Sequence, residues 1–123
     1  MAILTGTASW TDKTLIACGR FYPPEAKSAE ARLRHYASVF PMVEVDSSYY
    51  AMPSAANAAL WVERTPQDFA FDVKAFRLFT GHQTNVDVLQ QDIQAALGAT
   101  SKQLYYKDVP QEVREELWRR FKQ

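Results

Sequence analysis

The chain has 123 residues, 47% of them apolar, with seven Phe, six Tyr and three Trp, enough for one globular domain with a packed core. Its 14 basic and 14 acidic side chains cancel, so no global field draws in nucleic acid or an anionic membrane. The one cysteine, Cys18, excludes an intramolecular disulfide and a cysteine zinc cluster. No stretch approaches the roughly 18 uninterrupted apolar residues of a spanning helix, and the start lacks the basic and apolar regions of a signal peptide. A cytoplasmic, membrane-free protein is expected.

Ile3 to Ser9 has the composition of a strand, and Gly6 within it marks a place where another backbone approaches closely. Thr11 to Lys27 carries Gly19 and Pro23-Pro24 and reads as irregular. Ser28 can cap a helix with Leu33, Tyr36, Ala37 and Phe40 at helical spacing, stopped by Pro41. Met42 to Pro53 then reads as a buried strand that turns polar: Val43 and Val45 face one way, Glu44 and Asp46 the other. Two carboxylates on an interior strand are costly unless paired or solvated, and they give the first sign of chemistry.

Ser54 caps a second expected helix, with Ala58, Trp61 and Val62 as its apolar stripe, ending near Thr65-Pro66. The alternation of Phe69, Phe71, Val73 and Ala75 against Asp72 and Lys74 predicts another strand. Phe76 to Thr84 reads as loop. Asn85 is the expected cap of a third helix with Leu89, Ile93, Ala96 and Leu97 inward and Gly98 as its left-handed end. In the last helix Pro110 suits the first turn, Val113, Leu117 and Phe121 form the stripe, and Glu115–Arg119 and Glu116–Arg120 are the expected ion pairs.

Strand and helix alternate three times, the pattern of a parallel sheet with right-handed crossovers. The long connections, Trp10 to Lys27, Ser48 to Pro53 and Phe76 to Thr84, all leave strand carboxyl ends, where α/β proteins carry their sites. Glu44 is the candidate general base or metal ligand and Lys74 an electrostatic clamp on an anionic substrate, with a structural ion pair as the competing reading. His82 beside Gly81 is the candidate metal ligand or proton shuttle and Arg77 a phosphate contact, with a solvated loop arginine as the competing reading. Trp10, Asp46 and Tyr50 complete the candidate binding set, although aromatics beside strands more often build core. No phosphate loop, nucleophile elbow or zincin motif is present, no metal site is expected, and the sequence selects no cofactor.

Gly6-Thr7-Ala8-Ser9-Trp10, Phe21-Tyr22-Pro23, Val43 to Tyr50 ending at Pro53, Trp61, Thr65-Pro66, Phe69 to Ala75, Thr80-Gly81-His82, Leu104-Tyr105-Tyr106 and the Glu115 to Phe121 helix follow one another in an order and spacing that resembles the YecE-like family. The resemblance implies a TIM (β/α)₈ barrel of unknown function, with Asp46 standing where many members have Asn. Such barrels take about 250 residues. The expectation is therefore a single partial TIM-barrel domain over 1–123, a truncated βαβαβα portion comprising three β/α units and a following helix. Its mouth would take an anionic small molecule or a nucleic-acid phosphate, a phosphate-directed hydrolase by analogy. The alternative is an inactive fragment that folds by self-association through an open sheet edge or with its missing half.

Overall fold

The first three α-helices begin where polar side chains meet free backbone N–H groups. In the computed structural model, which describes residues 1–98 and 102–123, Asp12 accepts from the N–H groups of Thr14 (2.9 Å) and Leu15 (3.0 Å) and opens α1 (Lys13–Ala17). The stretch Thr11 to Lys27 is thus not irregular throughout; a capping aspartate starts one turn of helix before Gly19, at φ 64°, ends it. Ser28 accepts from Ala31 N–H (3.0 Å) and caps α2 (Ala29–Val39), which buries Leu33, Tyr36 and Ala37. Ser54 does the same for α3 (Ala55–Glu63) through Asn57 N–H. The expected α3 stripe is only partly inward: Ala58 and Trp61 are half-buried, but Val62 is 67% exposed.

By contacts the chain forms two compact units, one of residues 1–46 and 54–74, the other of residues 47–53 and 75–123. In the first, β1 (Met42–Val45) pairs in parallel with β2 (Ala70–Val73), in the register Glu44 opposite Asp72 and Val45 opposite Val73. The expected parallel neighbours are therefore present. The expected strand from Ile3 to Ser9 shrinks to a single parallel bridge, Ala8 with Glu44, made by Ser9 N–H to Glu44 O (2.9 Å) and Glu44 N–H to Thr7 O (3.1 Å). Ser9, at φ 71°, leaves extended geometry, and its hydroxyl accepts from Thr11 N–H, so a local turn competes with the ladder. Gly6 is closely approached, as anticipated: a Cβ there would stand 2.2 Å from the Met42 carbonyl oxygen.

Beneath this segment Tyr36 is wholly buried, and its hydroxyl receives Thr7 N–H (2.6 Å) and donates to Met42 O (3.2 Å). Phe21, Phe40 and Phe69 pack against its ring edge-on or tilted, and Tyr22 and His35 lie edge-on to Phe21. Tyr22 donates to Trp10 O, and burial, with the neighbouring Tyr36 hydroxyl second, pushes its pKa up to about 12.

In the second unit Phe76, Leu78, Val86, Leu89, Ile93, Leu104, Val109, Val113 and Leu117 form one core. Asn85 does cap, but it caps a short 3₁₀ turn over Val86–Val88, and α4 (Gln91–Leu97) begins later, with Ala96 exposed and Gly98 at φ 54° as its left-handed end. An antiparallel pair, β3 (Thr84–Asn85) with β4 (Gln103–Leu104), has no counterpart in the predicted pattern. Two-residue strands carry too little alternation to be read from sequence. α5 (Gln111–Phe121) buries Val113 and Leu117. Glu116 pairs with Arg120 (2.6 Å) as expected, and also with Arg119 (2.7 Å), while Glu115 accepts from Gln111 rather than Arg119. Arg120 spans to Asp92 at the start of α4, tying the two helices together. The chain is a mixed α/β protein, and no described helix is long and apolar enough to cross a membrane.

Candidate functional site

Successive strand side chains alternate, and register partners on neighbouring strands share a face. Glu44 on β1 with Asp46 just beyond it, and Asp72 on β2 with Lys74 just beyond it, therefore share one face of the parallel pair, at its carboxyl end. Lys74 N–H bonds Val45 O (3.2 Å), which carries the extended backbone one residue past β2. Its ammonium does not meet Glu44; it donates to Asp46 at 2.8 Å, with the two side chains 45% and 41% exposed. The expected Glu44–Lys74 pair is thus an Asp46–Lys74 pair. Pairing at that exposure contributes at most about 1 kcal/mol. Glu44 is half-buried and lies opposite Asp72, a like-charge neighbour. Asp72, on the same polar face, is the member that the sequence reading did not single out; its spacing of two from Lys74 was the available signal.

Trp10 belongs to the same unit but packs as core. Its ring lies edge-on to Trp61 (5.5 Å) and Phe71 (6.5 Å), and Trp61 stacks on Phe71 (6.2 Å).

The second unit gathers the remaining candidates around Tyr49. Arg77 N–H bonds Tyr49 O (3.0 Å), and the Arg77 guanidinium lies over the Tyr49 ring at 5.6 Å. His82 is edge-on to the same ring at 5.8 Å, and Tyr50, 57% exposed, is edge-on at 5.1 Å. A tight turn delivers the histidine: Gly81, at φ 77°, lets the chain reverse so that His82 N–H reaches Arg77 O (3.0 Å). Thr80 was overlooked in the sequence, and it orients the imidazole. Its hydroxyl has one proton and two partners, Arg77 O at 3.0 Å and His82 Nδ1 at 2.8 Å. A carbonyl only accepts, so both bonds form when Nδ1–H donates to Thr80, which leaves Nε2 as the free lone pair. The Arg77 Nε is buried with no hydrogen-bond partner among the described residues.

Chemically, the strand face offers proton acceptors and one cation, and the Tyr49 cluster offers a guanidinium and an oriented imidazole. Among the described residues no group of three or more His, Cys, Asp or Glu could hold a metal ion. His35 is held by Phe21, its Nε2 2.9 Å from the carbonyl oxygen. Three surface hollows, lined around Phe40 and Phe69, around Ile93 and Val113, and around Leu15 and Cys18, include none of the candidate residues.

The family model described as "Protein of unknown function DUF72" matches residues 4–123. The chain belongs to the DUF72 family. The UPF0759 protein YunF of Bacillus subtilis (strain 168) is 43% identical to this DUF72 chain over 81 residues, which are 66% of the chain and 27% of that relative. The chain thus spans well under two thirds of the length of the curated relative it matches. No solved structure matches.

Proposed function

We propose that this DUF72 chain is a single partial domain of a TIM-type (β/α)₈ barrel that, in the complete cytoplasmic protein, binds an anionic ligand through phosphate, either a small molecule or a nucleic acid. The observation that carries the reading is the Tyr49 cluster. Arg77 there is held over an aromatic ring with an unmet Nε donor. An unmet buried donor costs about 1–3 kcal/mol, and a turn of the guanidinium onto phosphate oxygens recovers it while forming a two-pronged, charge-assisted contact. His82, with Nε2 free, supplies a second contact or a proton.

Phosphate-directed hydrolysis is the reaction class we favour. Within the first unit taken by itself, Glu44 on the polar strand face would take the proton of a water as that water's oxygen bonds to phosphorus and the bond to the leaving alcohol oxygen breaks, with Lys74 on the same face offsetting the charge that develops. Support for a larger whole comes from the relative, most of whose length lies outside the match. Calorimetric titration of inorganic phosphate and of a short single-stranded oligonucleotide tests the reading. Arg77→Ala and Lys74→Ala should each weaken binding about tenfold, the size of one lost charge-assisted contact. Unchanged affinity in Arg77→Ala defeats the anion site, and unchanged affinity in Lys74→Ala removes the clamp role alone.

A second reading, self-association of an inactive fragment, is favoured by one observation. β2 forms the edge of its sheet, and Val73 on it is 41% exposed.

A further inference from the structure

Resting on that second reading, we infer that two copies of this chain pair antiparallel through the outer edge of β2, with Val73 on the two-fold axis. The backbone fixes which groups are available. Ala70 N–H bonds Pro41 O (3.0 Å) and Lys74 N–H bonds Val45 O (3.2 Å), so the even-numbered residues of this segment turn their peptide groups toward β1. Phe71 and Val73 therefore present N–H and C=O outward, along the edge that has no neighbour strand among the described residues. Placing Val73 opposite the second copy's Val73 lets the two exchange both backbone hydrogen bonds.

That register is also self-complementary in charge. It sets Asp72 opposite the second copy's Lys74, and Lys74 opposite the second copy's Asp72. The pairing relieves a frustration within the chain, because Asp72 otherwise faces Glu44 in the β1–β2 register. Lys74, with three N–H donors, can keep Asp46 while reaching the second copy's Asp72. A parallel approach of the same edges would set Asp72 against Asp72 and Lys74 against Lys74, and it is disfavoured. A shift by one residue would oppose Asp72 to Val73 and leave the charges unmatched. The contact is short, so the dimer is weak and concentration-dependent.

Sedimentation velocity on the full chain over a concentration series should show reversible dimerisation. Asp72→Lys and Lys74→Asp should each weaken it about tenfold, and an equimolar mixture of the two variants should restore it, because the mixed pair again sets opposite charges across the axis. In a Cys18→Ser background, Val73→Cys should form an intermolecular disulfide under mild oxidation. A hydrogen-bonded antiparallel pair holds its Cα atoms about 5.5 Å apart, within disulfide reach, while Asp72→Cys, off the axis, should not cross-link. A monomer at every concentration overturns both the self-association reading and this register. A dimer that ignores the charge variants and leaves Val73→Cys uncross-linked overturns the register alone. The cysteine variant is a mild change on an exposed edge, so its outcome stands even if a charge reversal impairs folding.

Discussion

Tyr36→Phe removes one oxygen from the centre of the first unit, and the cost follows from its bonds. The hydroxyl receives Thr7 N–H at 2.6 Å, stands 2.9 Å from the Thr7 hydroxyl, and donates its own proton to Met42 O at 3.2 Å. The Thr7 hydroxyl has an alternative acceptor in Ser9 O at 3.1 Å, so it survives the substitution. Thr7 N–H has no other hydrogen-bond acceptor among the described residues, and leaving it unmet costs about 1–2 kcal/mol at partial burial. Losing the donated bond to Met42 O adds about 0.5–1 kcal/mol. The sum is about 2 kcal/mol, or a fall in Tm of roughly 8 °C for a chain of this size.

A distinct readout separates this from a general loss of packing. Thr7 O accepts Glu44 N–H, so the segment that Tyr36 holds also covers the strand carrying the candidate base. In Tyr36→Phe the amide hydrogens of Thr7, Ser9 and Glu44 should exchange about tenfold faster or more, while those of α5 change only with global stability. Unfolding monitored by circular dichroism and residue-resolved hydrogen exchange checks both parts. A change in stability below about 0.5 kcal/mol together with unaltered Thr7 exchange would refute the claim that this hydroxyl docks the segment.

In the second unit, Leu117→Ala empties a site of zero exposure in the core and should cost about 2–5 kcal/mol, read by urea unfolding through Trp118 fluorescence in a Trp10→Phe, Trp61→Phe background. Glu116, hydrogen-bonded first by Arg119 and then by Arg120, has its pKa lowered to about 2. Its contribution is therefore complete above the unfolded carboxylate value and disappears as pH falls through about 2, so Glu116→Gln should flatten the acid limb of the stability profile below about pH 4.3, and an unchanged limb would contradict the pairing. Tyr22 works in the opposite direction: with its pKa raised to about 12 the folded state retains the proton that the unfolded state releases near pH 10, so stability falls across that interval. Tyr22→Phe should be less stable at neutral pH, through loss of the bond to Trp10 O, yet lose less on going to alkaline pH; tyrosinate absorbance during alkaline titration measures it.

The parts of this fold that were legible in sequence are those fixed by strictly local chemistry. Ser28 and Ser54 each announce a helix because a hydroxyl can satisfy an N–H only at that spacing, and both do so here. The alternation of Val43 and Val45 against Glu44 identifies β1, and the prediction that Gly6 is closely approached is met by the Met42 carbonyl. What eluded the sequence is decided by competition between neighbours. Asn85 is a good cap, but the turn it closes is 3₁₀, and Leu89 is buried outside the α-helix that follows. Val73 obeys its alternation and is still 41% exposed, because periodicity gives a face without saying what covers it. Thr80 was invisible as a site residue since its importance lies in giving its one proton to the Arg77 carbonyl and so receiving one from His82 Nδ1–H, a property of geometry rather than of residue type.

The same distinction governs the candidate chemistry. Strand parity alone puts Glu44, Asp46 and Lys74 on one face, but partner choice among them depends on reach, and the lysine selects Asp46. That choice divides the carboxylates by role. Asp46 holds the cation, while Glu44 lies opposite Asp72 with no cation partner of its own among the described residues. Like charges in register repel, and an approaching cation lowers the energy of that face. Under the proposed hydrolysis the base is Glu44 rather than Asp46, because the Asp46 carboxylate is already engaged by Lys74, and Asp72→Asn, which removes the opposing charge while leaving the strand register intact, tests that proposal.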